Sequence, residues 1–198
     1  FVQSLLASYA PRSVARMASA LRHFHKFLYQ DRLLPGNPAA DLAAPRQTAQ
    51  LPKTVTQDNI TILLDTAAAD DSPAGKRLYF MLELLYATGL RVSELCSLPL
   101  NAWRPETGSL AVMGKGRRER LTPLTPHAIA AAEQYLPVRL RFSPGGRDSA
   151  YLFPARAAQG HITRQQVGQL LKKLAAKAGL PLSLVSPHVL RHAFATHL

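Results

Sequence analysis

The chain has 198 residues, 47% of them apolar, with 24 lysines and arginines against 12 acids, a formal charge of 24 − 12 = +12. That length and apolar content suit one large or two small domains with a real core and exclude a disordered chain. The apolar run "LYFMLELLYATGL" is short and broken by Glu83, "FVQSLLASYA" carries no basic leader region, and Cys96 is the only cysteine, so the chain reads as cytoplasmic with no membrane insertion and no disulfide framework.

In chain order, "SVARMASALRHFHKFLYQ" places Val14, Met17, Leu21, Phe24 and Leu28 at steps of three and four, the pattern of one apolar helix face. Arg16 and Lys26 lie off that face. "LLPGNPAADLAAPRQTAQLPKT" breaks the pattern with four prolines and a glycine. It reads as a turn, a short helix near 38–44 and an extended linker over 46–54. Residues 1–45 hold one long helix and fragments, too little to fold alone. Residues 55–198 form the larger domain.

That domain opens with a helix capped by Thr56. A second, largely buried helix over "PAGKRLYFMLELLYATG" stops at Gly89, and "LRVSELCSL" gives a short third one. Two β-prone runs, 109–113 and 119–124, flank a Gly-Lys-Gly turn and predict a hairpin. Thr125-Pro126 starts a helix through about Leu136, and residues 137–152 read as an irregular loop. Thr163 and Gln166 predict a capping box for a helix ending at Gly179. Ser186 caps a last helix, whose apolar Phe194 and Leu198 need neighbours. The expected fold class is mostly α with a small antiparallel β-sheet.

The charge is clustered. Residues 1–30 hold Arg12, Arg16, Arg22 and Lys26 with no acid, and "KGRRER" at 115–120 holds four bases and one acid. Clustering of this kind favours a polyanionic partner, nucleic acid before membrane. Arg16, Lys26, Arg117, Arg118 and Arg164 are the expected DNA contacts. Arg91 follows the Gly89 stop at the start of a helix, where a guanidinium fork suits phosphate. A local ion pair with Glu94, one turn on, is the alternative. Lys115 at the hairpin tip could hold phosphate or protonate a leaving oxygen, or be a plain turn lysine. His188 and Arg191, three apart, share a helix face and offer a donor pair for two oxygens.

In combination, "ATGLRVSEL", "GKGRRERLTPL" and "SPHVLRHAFATHL" resemble the motifs of the tyrosine site-specific recombinases, most closely the XerD branch of the Xer family. The resemblance runs from about Ser13 to Leu198. It implies a phage-integrase-like catalytic domain over 55–198 and part of a helical core-binding domain over 1–45. It places catalytic groups at Arg91, Lys115, His188 and Arg191, with no metal and no cofactor. The implied reaction cleaves and rejoins duplex DNA at a specific recombination site through a 3′-phosphotyrosyl intermediate, for chromosome dimer resolution. The implied partners are recombinase protomers in a tetramer and a septal DNA translocase. None of Tyr9, Tyr29, Tyr79, Tyr86, Tyr135 or Tyr151 stands at the nucleophile's place in the motif order. The expectation is a chain truncated at both ends that binds DNA without cleaving it. A non-catalytic DNA-binding module and a phage or transposon integrase of the same fold are the alternatives.

Overall fold

The computed structural model describes residues 2–45, 56–113 and 119–197, with the backbone alone at 188, 192, 195 and 197. The expected linker, 46–54, lies outside the described residues. The chain divides into two units, Phe1–Pro52 and Lys53–Leu198.

In the first unit, α1 (Val2–Ser8) packs on α2 (Pro11–Gln30). Pro11 opens α2, where its missing N–H costs nothing. The buried face is only partly the expected one, with Val14 buried and Leu21 and Leu28 half-buried. Val14, Ala15 and Ala18 are buried, whereas Met17 and Phe24 are 36% and 55% exposed. The two alanines allow a close approach that larger side chains would block. No helix forms over 38–44. Asn37 makes the bonds that could start one, its Oδ1 accepting from Ala39 N at 3.0 Å and its carbonyl from Ala40 N at 3.2 Å. They lead only to turns, with Leu42 N donating to Ala39 O at 3.3 Å, and Pro45 disfavours helical backbone at Ala44. Arg22 then ties the segment to α2 by donating to the Leu42 carbonyl at 3.1 Å.

The second unit is built around α4 (Pro73–Thr88), which packs against α3 (Gln57–Ala68), α6 (Pro126–Tyr135) and α8 (Pro187–His197). Ser72 caps α4 by accepting from Gly75 N at 3.0 Å, and Gly89 ends it at φ 58°. Phe80, Met81, Leu82, Leu84 and Leu85 are all buried. Each such side chain contributes about 1.5–3 kcal/mol, so this one helix anchors the core. Phe80, Tyr135 and Phe153 stack at its centre with ring centroids 5.4–5.8 Å apart.

A three-stranded antiparallel sheet, β1 (Trp103–Arg104), β2 (Ser109–Met113) and β3 (Glu119–Pro123), covers one side in the order β1-β2-β3. Ser109 pairs with Pro123 and Met113 with Glu119, so the two expected runs pair as an antiparallel hairpin. The Gly-Lys-Gly tip lies outside the described residues. The 137–152 segment is more ordered than an irregular loop: Leu136–Phe142 and Pro144–Gly146 wind into 3-10 turns. Arg139 holds it. Buried, it donates from Nε to Tyr151 O at 3.0 Å and from Nη2 to Ser149 O, and faces Asp148.

α5 (Val92–Cys96) follows α4 at once, and α7 (Arg164–Lys177) carries the predicted capping box, with both reciprocal bonds at 2.9 and 3.2 Å. α8 is capped by Ser186 Oγ, accepting from Val189 N at 3.3 Å. Its Phe194 finds a neighbour, lying directly over Gly89. Among the described residues no helix is long and apolar enough to cross a membrane.

Candidate active site

The end of α4 sets the first arginine. Gly89 turns the chain in the left-handed region and donates to Leu85 O at 3.1 Å. Leu90 is buried, which fixes Arg91 at the N-cap of α5. One turn on, Glu94 reaches back. Its Oε2 accepts from Arg91 N at 2.7 Å and its Oε1 from Arg91 Nη1 at 2.9 Å.

The same carboxylate meets a second arginine from α8. Arg191 Nη1 lies 4.0 Å from Glu94 Oε2, and the side-chain exposures are 56%, 15% and 37% for Arg91, Glu94 and Arg191. Glu94 is thus a recessed anion between two more exposed cations. Burial pushes its carboxyl pKa up, but the backbone and side-chain hydrogen bonds from Arg91 and the fields of Arg91 and Arg120 outweigh it and hold the group below the usual carboxylate range. Arg191 Nη1 is shielded from water and has no hydrogen-bond acceptor among the described residues, so this fork keeps donor capacity for an oxyanion. The local pair of Arg91 with Glu94 exists, then, but as one arm of a three-residue cluster.

Arg91 and Arg191 are therefore brought together. His188 lies on the first turn of α8, one turn before Arg191, and its side chain is outside the described set. Lys115, Arg117 and Arg118 also lie outside the described residues. Arg164 is exposed at the first position of α7. Arg16 and Lys26 are exposed on α2, in the other unit. A cleft of about 440 Å³ opens beside Glu94, bordered by Ser97, Asn101, Arg104, Met113 and Glu119. Sequence reasoning treated Glu94 only as a rival partner for Arg91 and did not single out Arg120. The Arg-x-x-Glu spacing at a helix start was the available signal for Glu94; nothing local pointed to Arg191 as its second partner.

No group of three or more His, Cys, Asp or Glu able to hold a metal ion occurs among the described residues. Two of the tyrosines are held away from chemistry. Tyr135 is buried and donates to Leu152 O at 3.0 Å, and burial drives its pKa upward despite the fields of Arg77 and Arg139. Tyr79 is pushed up to about 12 by burial and by the neighbouring Glu83 carboxylate.

Two arginines from distant elements thus converge on one recessed carboxylate, on a mostly helical scaffold with a small sheet. Residues 53–198 match the model of the phage integrase family, and the chain belongs to that family. It is 48% identical over 190 residues to the tyrosine recombinase XerD of Caulobacter vibrioides, covering 96% of this chain and 62% of that protein. It is 46% identical over 198 residues to XerD of Brucella suis, covering 96% of this chain and 64% of that protein. The chain thus spans less than two thirds of the length of these relatives. Among solved structures, XerA recombinase superposes with a TM-score of 0.62 at 25% identity over 98% of this chain and 64% of its own. XerH bound to its difH substrate gives a TM-score of 0.72 at 17% identity over 99% and 57%. The Tn1549 transposon integrase in complex with circular intermediate DNA gives 0.75 at 19% over 99% and 69%, a likeness of fold.

Proposed function

We propose that this protein is a Xer-type site-specific DNA recombinase that cleaves and rejoins duplex DNA through a 3′-phosphotyrosyl intermediate, in the cytoplasm, to resolve chromosome dimers. The observation that carries the reading is the Arg91–Glu94–Arg191 cluster. In this reading a scissile phosphate sits against Arg91 and Arg191, whose fixed charges offset the negative charge that grows on the non-bridging oxygens during attack. His188 adds a donor from the turn of α8 before Arg191. Lys115 protonates the departing 5′-oxygen. Glu94 is a positioning residue that holds both forks without touching DNA. No metal is needed, because the guanidiniums supply the charge a metal would. Tyr135, buried with its hydroxyl donated to Leu152 O, is set aside as a nucleophile, and the reading takes the attacking tyrosine from outside these 198 residues because none of the chain's tyrosines stands at the nucleophile's place in the motif order.

Residues 1–45 act as part of a core-binding domain, with Arg16 and Lys26 on the DNA backbone. Arg117, Arg118 and Arg164 make backbone contacts from the catalytic domain. The partners are a specific recombination site, further protomers in a tetramer, and a septal DNA translocase.

The test is a suicide duplex, nicked beside the exchange point, run on a denaturing gel. The chain expressed from its whole reading frame should trap a covalent adduct, and R191A should lose it. Residues 1–198 alone should shift the duplex on a native gel and trap nothing. An adduct mapping to Tyr79, Tyr135 or Tyr151 refutes the assignment of the nucleophile. Binding without cleavage by the whole reading frame favours a DNA-binding module instead.

A further inference from the structure

A second guanidinium sits far from Arg91 and Arg191. Arg77 lies in the first half of α4, roughly 16 Å along the helix axis from the Thr88 end that leads to Arg91. Its Cζ stands 3.8 Å from the centroid of the Phe142 ring, which covers one face of the guanidinium plane. Its Nε is cut off from solvent and has no hydrogen-bond acceptor among the described residues. No carboxylate pairs with it among them either.

Arg139 shows what this molecule does with a buried arginine whose role is internal. Arg139 gives its donors to the carbonyls of Tyr151 and Ser149 and faces Asp148. Arg77 has the desolvation without the acceptors. A shielded donor without a partner is a costly arrangement, and in folded proteins it marks a place where water or an ion completes the bonding.

Beside Arg77 opens a cleft of about 170 Å³, bordered by Gln166, Gln169 and Lys173 over a floor of Ala155 and Ile162. Every charged group on its wall is a cation. Gln166 already accepts from Thr163 N through Oε1, which leaves its amide nitrogen as the free polar end. The Arg77 guanidinium, the Lys173 ammonium and two carboxamides border this small recess, a set of donors that suits a tetrahedral oxyanion. A backbone phosphodiester carries a sugar on both sides and has two non-bridging oxygens, whereas inorganic phosphate or a monoester presents three or more free oxygens to these donors.

We infer that this cleft binds a free phosphate-sized oxyanion, inorganic phosphate or a phosphate monoester, at a place separate from the Arg91–Arg191 cluster. Arg77 and Lys173 supply the charge, and Gln169 supplies orientation. The site does not depend on the recombinase reading, since none of its residues belongs to that cluster.

The test uses the arginine Nε–H resonances of the ¹⁵N-labelled chain. Inorganic phosphate and phenyl phosphate, titrated separately at constant ionic strength, should each move the Arg77 resonance saturably. K173Q should weaken that binding by about three- to tenfold, and Q169A by less. K173Q changes an exposed side chain, so its fold is safe; R77M is run beside it with circular dichroism as a control. A duplex DNA titration separates the sources. If DNA moves Arg77 and neither small phosphate does, the free-anion assignment is overturned. A shift that chloride reproduces at equal ionic strength, or one unchanged by K173Q, overturns it as well.

Discussion

The position that ties the fold to the site most tightly is Gly89, and Gly89→Ala is the perturbation that exposes the link. Two independent costs meet there. The backbone sits at φ 58°, where an L side chain costs about 1–2 kcal/mol. A Cβ at Gly89 would also lie 2.4 Å from Cδ1 and 2.7 Å from Cε1 of Phe194. Those atoms belong to a ring on α8, not to the end of a flexible chain, so α8 must move or the ring must leave its rotamer. Overpacking of this kind costs about 1–3 kcal/mol, and the sum is roughly 2–5 kcal/mol. Phe194 is one turn from Arg191, whose Nη1 lies 4.0 Å from Glu94. A displacement of α8 large enough to clear the clash therefore pulls the second arginine from the first. Urea unfolding of G89A, F194A and the double variant measures the two costs separately. F194A should relieve the clash and leave the backbone cost, so the pair should show a coupling of about 1–3 kcal/mol. The reasoning fails if G89A costs under about 1 kcal/mol, or if the two substitutions add.

Other predictions rest on other links. E94Q removes a carboxylate whose pKa is held low in the fold, so its contribution is present above the unfolded-state pKa and fades as pH falls through the folded value. The variant should lose about 1–2 kcal/mol at neutral pH and show a flatter acid limb in stability against pH; an unchanged acid limb refutes the cluster. With a charge of +12, DNA binding should be dominated by phosphate contacts. If about six phosphates are neutralised, log K should fall against log salt with a slope near −5, and a salt-insensitive affinity would contradict it. Burial pushes the Cys96 thiol up to about 11, against the field of Arg164, so a thiol reagent at pH 8 should label it only as fast as the second unit opens. Rapid labelling of the native protein would show that Cys96 is not packed as described.

The parts of this fold that were legible in the sequence are those whose chemistry is local. Thr56, Thr163, Ser186 and Gly89 act on backbone groups within four residues, and the cap and stop signals at each were readable without any knowledge of the rest. The hairpin was legible for the same reason, because two short β-prone runs flank a Gly-Lys-Gly turn; its residue pairing was not. What spacing cannot say is which neighbour an element will have. The pattern in α2 promised that Val14, Met17, Leu21, Phe24 and Leu28 share a face; of these only Val14 is buried, with Ala15 and Ala18 beside it. The same limit hid Arg139 and Arg77. Nothing local marks an arginine for burial, and in one case three acceptor groups on a later loop decide it, while in the other an aromatic ring does. Residues 38–44 have a helix-starting bond at Asn37 but too few residues before Pro45 to propagate it, so they close turns instead of the expected helix.

The Arg91–Glu94–Arg191 cluster joins both kinds of information, and that accounts for its chemistry. Two guanidiniums held near one another repel, and in the proposed role their site must keep them in place when no anion is there. A free carboxylate would do so but would also compete for the ligand's position. Glu94 avoids the conflict by where it is fastened. Its Oε2 accepts from the Arg91 backbone N–H at 2.7 Å, so the helix start holds it, not the guanidiniums alone. It is the least exposed of the three side chains, which places the negative charge behind the positive ones as seen from solvent. Each fork can then turn its outward donors to a phosphate while an inner one stays near Glu94. The field that an approaching polyanion meets is that of two cations, softened but not cancelled, and preorganised at no cost when charge develops. The local half of this device is a helix-capping glutamate, and the distant half is the register with which α8 lies across the end of α4, set by Phe194 over a residue that has no Cβ.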